Sequence, residues 1–96
     1  MEILSPVVEF TLKQSTANEF GIQPPALQVI EVNQAGWSDG CLDLGEEGEC
    51  CTMALVSGWI VTLTDGQHRW VYHVAGVHSF RLNRPASDLP GNIPKR

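Results

Sequence analysis

The hydrophobic and polar positions in the first quarter of the chain fit a helix with ragged apolar spacing. Ser5 and Pro6 suit its N-cap and first position, because proline lacks an N–H group that would be unpaired there. Gly21 can adopt the left-handed conformation that ends a helix, and the two prolines that follow cannot continue one. The pattern therefore predicts a helix from about residue 6 to 20.

The next hydrophobic stretches alternate with period two, which is typical of strands. Residues 27–32 are β-branched and partly alternating, and residues 33–51 then form a long predicted loop. Residues 52–56 are a short apolar run, and Ser57 and Gly58 indicate a bulge or bend before a strand that begins at Trp59.

The strongest local signal is Asp65-Gly66 between two apolar strands, which favours a two-residue hairpin turn. In that register Val61 pairs with Trp70 and Trp59 with Tyr72. One predicted face, interpreted as core, holds Trp59, Val61, Leu63, Trp70 and Tyr72. The other holds Ile60, Thr62, Arg69, Val71 and His73.

A turn at residues 75–76 leads to a short last strand at 78–82, predicted to be an edge. We therefore predict an α+β fold, an N-terminal helix packed on an antiparallel sheet of about four strands, with the loop 33–51 lying across one end. Residues 1–83 form the predicted single domain, and the proline-containing residues 84–96 an extended or disordered tail.

Length and charge narrow the classes of function. The 96 residues suffice for one small domain, and 43% hydrophobic with 18% charged residues indicates a globular chain. A formal net charge of −5 would repel a nucleic-acid backbone. The sequence shows no signal peptide and no apolar run of the roughly 20 residues that span a bilayer. We expect a soluble protein without membrane or nucleic-acid partners, cytoplasmic if the chain is full length.

Four segments carry a resemblance to a known family: Trp-Ser-Asp-Gly-Cys-Leu at 37–42, Cys-Thr at 51–52, Gly-Trp-Ile-Val at 58–61 and Tyr-His at 72–73. Over roughly residues 6–83 the chain resembles an uncharacterised family of small bacterial domains, common in cyanobacteria. It departs from that family's pattern at Ser38, where proline is usual, and at Asp43, where glycine is usual. The resemblance implies the fold and a Cys41–Cys51 pairing, and it implies no activity.

Three cysteines allow at most one intramolecular disulfide, and a reducing compartment would leave all three as thiols. We choose Cys41–Cys51 as a structural disulfide, which would stabilise the fold by roughly 2 to 3 kcal/mol, with Cys50 left over. Adjacent cysteines do not readily bind one tetrahedral ion, so a zinc site is not predicted. Catalysis by Cys50 and His73 would need an activating environment and a third orienting group, neither of which the sequence shows.

The acidic residues of the long loop lack the regular ligand alternation of an EF-hand, so we predict a solvated acidic loop with no metal and no cofactor. Because the loop is long and chemically distinctive, the leading hypothesis is a noncatalytic protein-binding module, inhibitory or regulatory. Its predicted binding residues are Trp37, Asp39, Asp43, Glu46 and Glu47. Trp37 can either fill the edge of the core or anchor the partner.

Two alternatives remain from the sequence. One is a small subunit of a larger assembly that joins through the edge strand at 78–82. The other is a cysteine-dependent enzyme that uses Cys50 or Cys51. The partner is of unknown identity, and the protein itself is expected to be a monomer or weak homo-oligomer.

Overall fold

The computed structural model describes residues 4–90 and shows one helix packed on a four-stranded antiparallel sheet. The elements are α1 (Pro6–Phe20), a 3-10 turn (Pro24–Ala26), β1 (Gln28–Trp37), β2 (Val56–Thr64), β3 (Arg69–Gly76) and β4 (Ser79–Leu82). The strands lie in chain order, β1-β2-β3-β4. The predicted α+β architecture is therefore confirmed.

Helix α1 has the predicted bounds. Gly21 ends it with φ at 70°, and its N–H donates to the carbonyl of Ala17 at 2.9 Å. The helix buries only Leu12, Thr16 and Ala17, a narrow stripe that accounts for the ragged apolar spacing. The Thr16 hydroxyl also hydrogen-bonds the Tyr72 hydroxyl at 2.6 Å, which ties α1 to β3.

The main core lies between α1 and one face of the sheet. Phe20 of α1 packs its ring edge-on against Trp70, with 5.7 Å between ring centroids. Full burial of each large apolar side chain stabilises the fold by about 1.5 to 3 kcal/mol. The buried cluster consists of Leu12, Leu27, Val32, Val61, Leu63, Trp70, Tyr72 and Val74. The aromatic face of the β2–β3 hairpin is thus core, as expected.

The predicted hairpin register is wrong by two residues. Thr64 pairs with Arg69, so the turn holds four residues rather than two. The cause is Asp65, whose Oδ1 accepts the backbone N–H groups of Gln67 and His68 at 2.9 and 2.8 Å and closes a wider turn. Because two is an even number, every side chain keeps its predicted face.

Strands β1 and β2 are longer than predicted. β1 continues to Trp37 and β2 begins at Val56, so these two residues pair and the connection between them is 38–55 rather than 33–51. Gly58 lies within the β1–β2 ladder without a register shift. A side chain there would instead meet β3, since an added Cβ would lie 2.0 Å from the carbonyl oxygen of Val74. Glycine is needed for this close approach of two strands.

The packed domain extends beyond residue 83, so part of the expected tail is structured. Asp88 exchanges both backbone hydrogen bonds with Arg69 at 2.8 Å, and the Ser87 hydroxyl accepts the N–H of Val71 at 2.9 Å. Leu89 packs against the core. These bonds satisfy backbone groups of β3 that the short strand β4 does not reach. The rest of the predicted tail, residues 91–96, lies outside the described residues.

Candidate functional site: the covering loop

Residues 38–55, here called the covering loop, lie over the second face of the sheet and not across one end as expected. Trp37 leads into this loop and stacks on His73 of β3, with ring centroids 4.0 Å apart and an interplanar angle of 10°. Cys41 and Leu42 are buried beside them, at 4% and 2% exposure. The loop therefore gives the sheet a second, smaller core.

His73 fastens the loop to this face through one ring nitrogen and is itself held by Asn83 through the other. Nδ1 lies 2.7 Å from the carbonyl oxygen of Leu42, which can only accept, so Nδ1 carries the proton. Nε2 then accepts from the side-chain amide of Asn83 at 3.2 Å. The orientation of that amide is set by its Oδ1, which accepts the N–H of Ala86 at 3.2 Å. The His73 ring thus links the covering loop to Asn83.

The Cys41–Cys51 disulfide is present, with a Cα–Cα distance of 5.4 Å, and Cys50 is a free exposed thiol. Gly45 lies against the bridge, since an added Cβ would be 2.8 Å from the Cys51 sulfur. Asp39 comes within 4.8 Å of both sulfurs. While the disulfide is formed, the sulfurs are not thiolate ligands, and this group offers a metal ion only one carboxylate.

Two of the predicted binding residues hold the backbone of the loop. Asp39 Oδ1 accepts the N–H groups of Cys41 and Asp43 at 2.9 and 3.1 Å. Asp43 Oδ1 accepts the Ser38 hydroxyl at 2.6 Å and the Ser38 N–H at 2.9 Å, and these hydrogen bonds lower the pKa of Asp43. Leu42 and Asp43 have φ of 58° and 59°. Such left-handed backbone favours glycine and tolerates aspartate, the residue found at position 43.

The far side of the loop is clamped to β4 by charge. Both guanidinium nitrogens of Arg81 donate to the Glu49 carboxylate, one of them at 2.8 Å. The same carboxylate accepts the N–H of Glu46 at 2.9 Å, and Arg81 also reaches the Leu44 carbonyl at 3.3 Å. The hydrogen bond from Arg81, followed by that from the Glu46 N–H, lowers the pKa of Glu49 to about 2. Opposite charge thus stabilises the docked loop.

Of the five predicted binding residues, Glu46 and Glu47 are left with exposed side chains that these contacts do not occupy. Trp37 is only 6% exposed, so it fills the second core, the first of the two roles considered for it. Asp39 and Asp43 serve the loop's own backbone. Four of the five lie in the covering loop and Trp37 ends β1 beside it, and three of the five, Trp37, Asp39 and Asp43, maintain the shape of the loop.

The most exposed large apolar residues of the described chain were missed by the sequence reasoning. Met53 and Leu55 are each 91% exposed, just after the disulfide. The N–H of Ala54 donates to the Thr52 carbonyl at 3.0 Å, so Met53 is the apex of a three-residue turn. We call residues 52–55 the display segment. An apolar run before a strand ordinarily indicates burial, and no signal in the sequence contradicts that interpretation here.

Comparison with known proteins gives a family without an activity. No curated protein and no solved structure matches the chain significantly. Within residues 4–90, no helix is long and apolar enough to cross a membrane. Residues 10–82, well over half of the chain, match a family described as a domain of unknown function, DUF8738. The expected likeness to an uncharacterised domain family is confirmed, and the chain belongs to the DUF8738 family.

Proposed function

We propose that this protein is a noncatalytic protein-binding module, inhibitory or regulatory, that contacts its partner through the display segment. The observation that supports this most strongly is the 91% exposure of both Met53 and Leu55 within a loop fixed at several points. Glu46 and Glu47, exposed on the same loop, supply a charged margin. The proposal keeps the predicted class of function and moves the main contacts from the predicted loop, residues 33–51, to residues 52–55, which follow it in the covering loop.

Energetics favour this interpretation over a merely tolerated exposure. Burying one such side chain in an interface removes apolar surface from water and contributes about 1.5 to 3 kcal/mol. Binding by a flexible loop would lose much of that gain to ordering of the backbone. Here the Cys41–Cys51 disulfide and the hydrogen bond from the Gly40 N–H to the Thr52 carbonyl, at 2.8 Å, already fix the segment.

A crosslinking experiment with a matched control tests the proposal. A benzophenone side chain is placed at position 53, and in a second protein at position 10, because Phe10 on α1 is also an exposed apolar residue at 63% exposure. After irradiation in an extract of the source cells, we expect a discrete adduct from position 53 alone. Excess unlabelled protein should abolish it, whereas excess Met53→Gln/Leu55→Gln protein should not.

Identical adducts from positions 53 and 10 would contradict the proposal, because they would indicate non-specific hydrophobic capture. Equal competition by the Met53→Gln/Leu55→Gln protein would also contradict it, since the partner would then bind elsewhere on the surface. The benzophenone proteins and the Met53→Gln/Leu55→Gln protein all change exposed side chains. Their circular dichroism spectra are therefore expected to match that of the parent protein.

A second candidate function is that of a subunit that joins a larger assembly by strand addition. The structure favours a different edge of the sheet for this contact than the one predicted from the sequence. β4, the edge named from the sequence, has only four residues and carries Arg81, which is engaged by the covering loop. β1 is the opposite edge and has ten residues, Gln28–Trp37. A long free edge can pair with another chain. Asn33→Pro within β1 should then abolish the assembly in sedimentation velocity, and an unchanged assembly would exclude this edge.

A further inference from the structure

The display segment offers an exposed peptide bond after an exposed apolar side chain. Residues 52–55 are four consecutive exposed residues, between Cys51 and Val56, which are half-buried. Met53 projects at the apex of the turn, and the residue after it, Ala54, is small and exposed. An endopeptidase needs an accessible peptide bond and a side chain free to enter its primary pocket, and residues 53 and 54 offer both.

The same segment is anchored on both sides, unlike an ordinary substrate. Two residues before Met53, Cys51 is bonded to Cys41, and the Thr52 carbonyl accepts the Gly40 N–H. Three residues after Met53, Val56 enters β2 and pairs with Trp37. A flexible peptide loses about 1 to 2 kcal/mol per residue when its backbone is ordered on binding. A segment ordered in advance avoids most of that loss and binds more tightly.

We propose that the partner is a serine endopeptidase with an apolar primary pocket, and that this protein inhibits it by placing Met53 in that pocket. The inference rests on the proposed function and specifies the partner of the same segment. The peptide bond between Met53 and Ala54 faces the nucleophile. Methionine is uncharged and unbranched, so it suits an apolar pocket and leaves the buried carboxylate of a basic-specific pocket unpaired.

The fold explains why attack on this bond would be unproductive. The serine oxygen adds to the Met53 carbonyl carbon, the C–N bond breaks, and Ala54 leaves as an amine carrying the proton released by the serine. In a flexible substrate that amine diffuses away, and water then hydrolyses the acyl-enzyme. Here Ala54 stays joined to β2, which remains paired with β1 from Gln28 to Trp37. The retained amine can attack the ester, reform the peptide bond and release the serine.

The test uses subtilisin, chymotrypsin and trypsin as probes, each assayed on a small chromogenic peptide. The unmodified protein should inhibit subtilisin or chymotrypsin and leave trypsin active. Met53→Lys should weaken that inhibition by roughly 100-fold and create inhibition of trypsin, because the side chain at position 53 selects the pocket. Leu55→Lys, with the same charge two residues away at equal exposure, should keep the original preference.

A variant without the disulfide provides a second test of the inference. In the Cys41→Ala/Cys51→Ala protein the anchor before Met53 is lost, so we expect rapid cleavage between residues 53 and 54, detected by mass spectrometry, in place of inhibition. The inference is overturned if the three enzymes stay fully active with the unmodified protein and trypsin also stays active with Met53→Lys. It is equally overturned if the disulfide-bonded protein is cut rapidly at this bond.

The two proposals fail separately. A specific crosslinked adduct at position 53 with no inhibition of any probe would leave the binding module standing, with a partner that is not an endopeptidase of this class. If neither a specific adduct at position 53 nor inhibition of a probe enzyme is observed, the display segment is not a functional surface.

Discussion

Removing the Cys41–Cys51 disulfide should lower the free energy of unfolding by an amount that depends on the number of residues between the two cysteines. The bridged cysteines are 10 residues apart in sequence. On the chain-entropy relation, closing such a loop in the unfolded chain corresponds to about 2.7 kcal/mol at 25 °C. For a domain of this size that loss corresponds to a fall in Tm of about 10 to 20 °C.

The assay is urea unfolding of Cys41→Ala/Cys51→Ala, followed by tryptophan fluorescence and compared with the oxidised parent. Cys50→Ala is the matched control, because Cys50 is exposed and free and its replacement should change the free energy of unfolding by less than about 0.5 kcal/mol. A loss below about 1 kcal/mol in the double variant, or an equal loss in the control, would refute the reasoning.

The contact of Gly45 with the bridge provides an internal check on the same prediction. An added Cβ at position 45 would lie 2.8 Å from the Cys51 sulfur, so Gly45→Ala should cost about 1 to 3 kcal/mol in the oxidised protein. In the Cys41→Ala/Cys51→Ala background that sulfur is gone, and most of the cost should disappear. Equal costs in the two backgrounds would show that the loop does not pack on the disulfide.

Two further predictions concern the sheet and the charge clamp. Gly58→Ala should destabilise the fold by more than about 3 kcal/mol, because its Cβ would lie 2.0 Å from the Val74 carbonyl oxygen; a thermal unfolding midpoint near that of the parent would contradict this. The pKa of Glu49 is lowered from 4.5 to about 2 by Arg81, so its stabilisation is present above about pH 4.5 and is lost as the pH falls toward 2. Glu49→Gln should therefore flatten the acid limb of stability against pH, whereas Glu47→Gln, at a residue without an ion pair among residues 4–90, should leave it unchanged.

Local rules were sufficient for the elements whose signals lie within a few residues. Pro6 and Gly21 mark the ends of α1, because each fits a backbone position that other residues fill poorly. The hairpin faces were also predictable, since side-chain alternation survives an even shift of register. The shift in register was not predictable. The Asp65-Gly66 pair suggests a two-residue turn, but the Asp65 side chain accepts backbone N–H groups that close a four-residue turn.

The candidate site was only partly predictable, because its shape depends on contacts between distant residues. His73 meets the Leu42 carbonyl across 31 residues of sequence, and Arg81 meets Glu49 across 32. The sequence does not reveal these long-range contacts, so it does not indicate which face of the sheet the loop covers. The carboxylates of the loop suggested an outward acidic surface, but Asp39 is occupied by nearby backbone N–H groups. Exposure of Met53 is likewise a consequence of the folded loop.

The central claim is that a disulfide-fixed covering loop presents Met53 and Leu55, and peptide mapping without reductant tests its foundation most directly. Free thiols are alkylated first, the protein is digested, and fragmentation distinguishes the adjacent residues Cys50 and Cys51. The account predicts a Cys41–Cys51 linked peptide with alkylation at Cys50 alone. Alkylation of all three cysteines, or a bridge that contains Cys50, would contradict it.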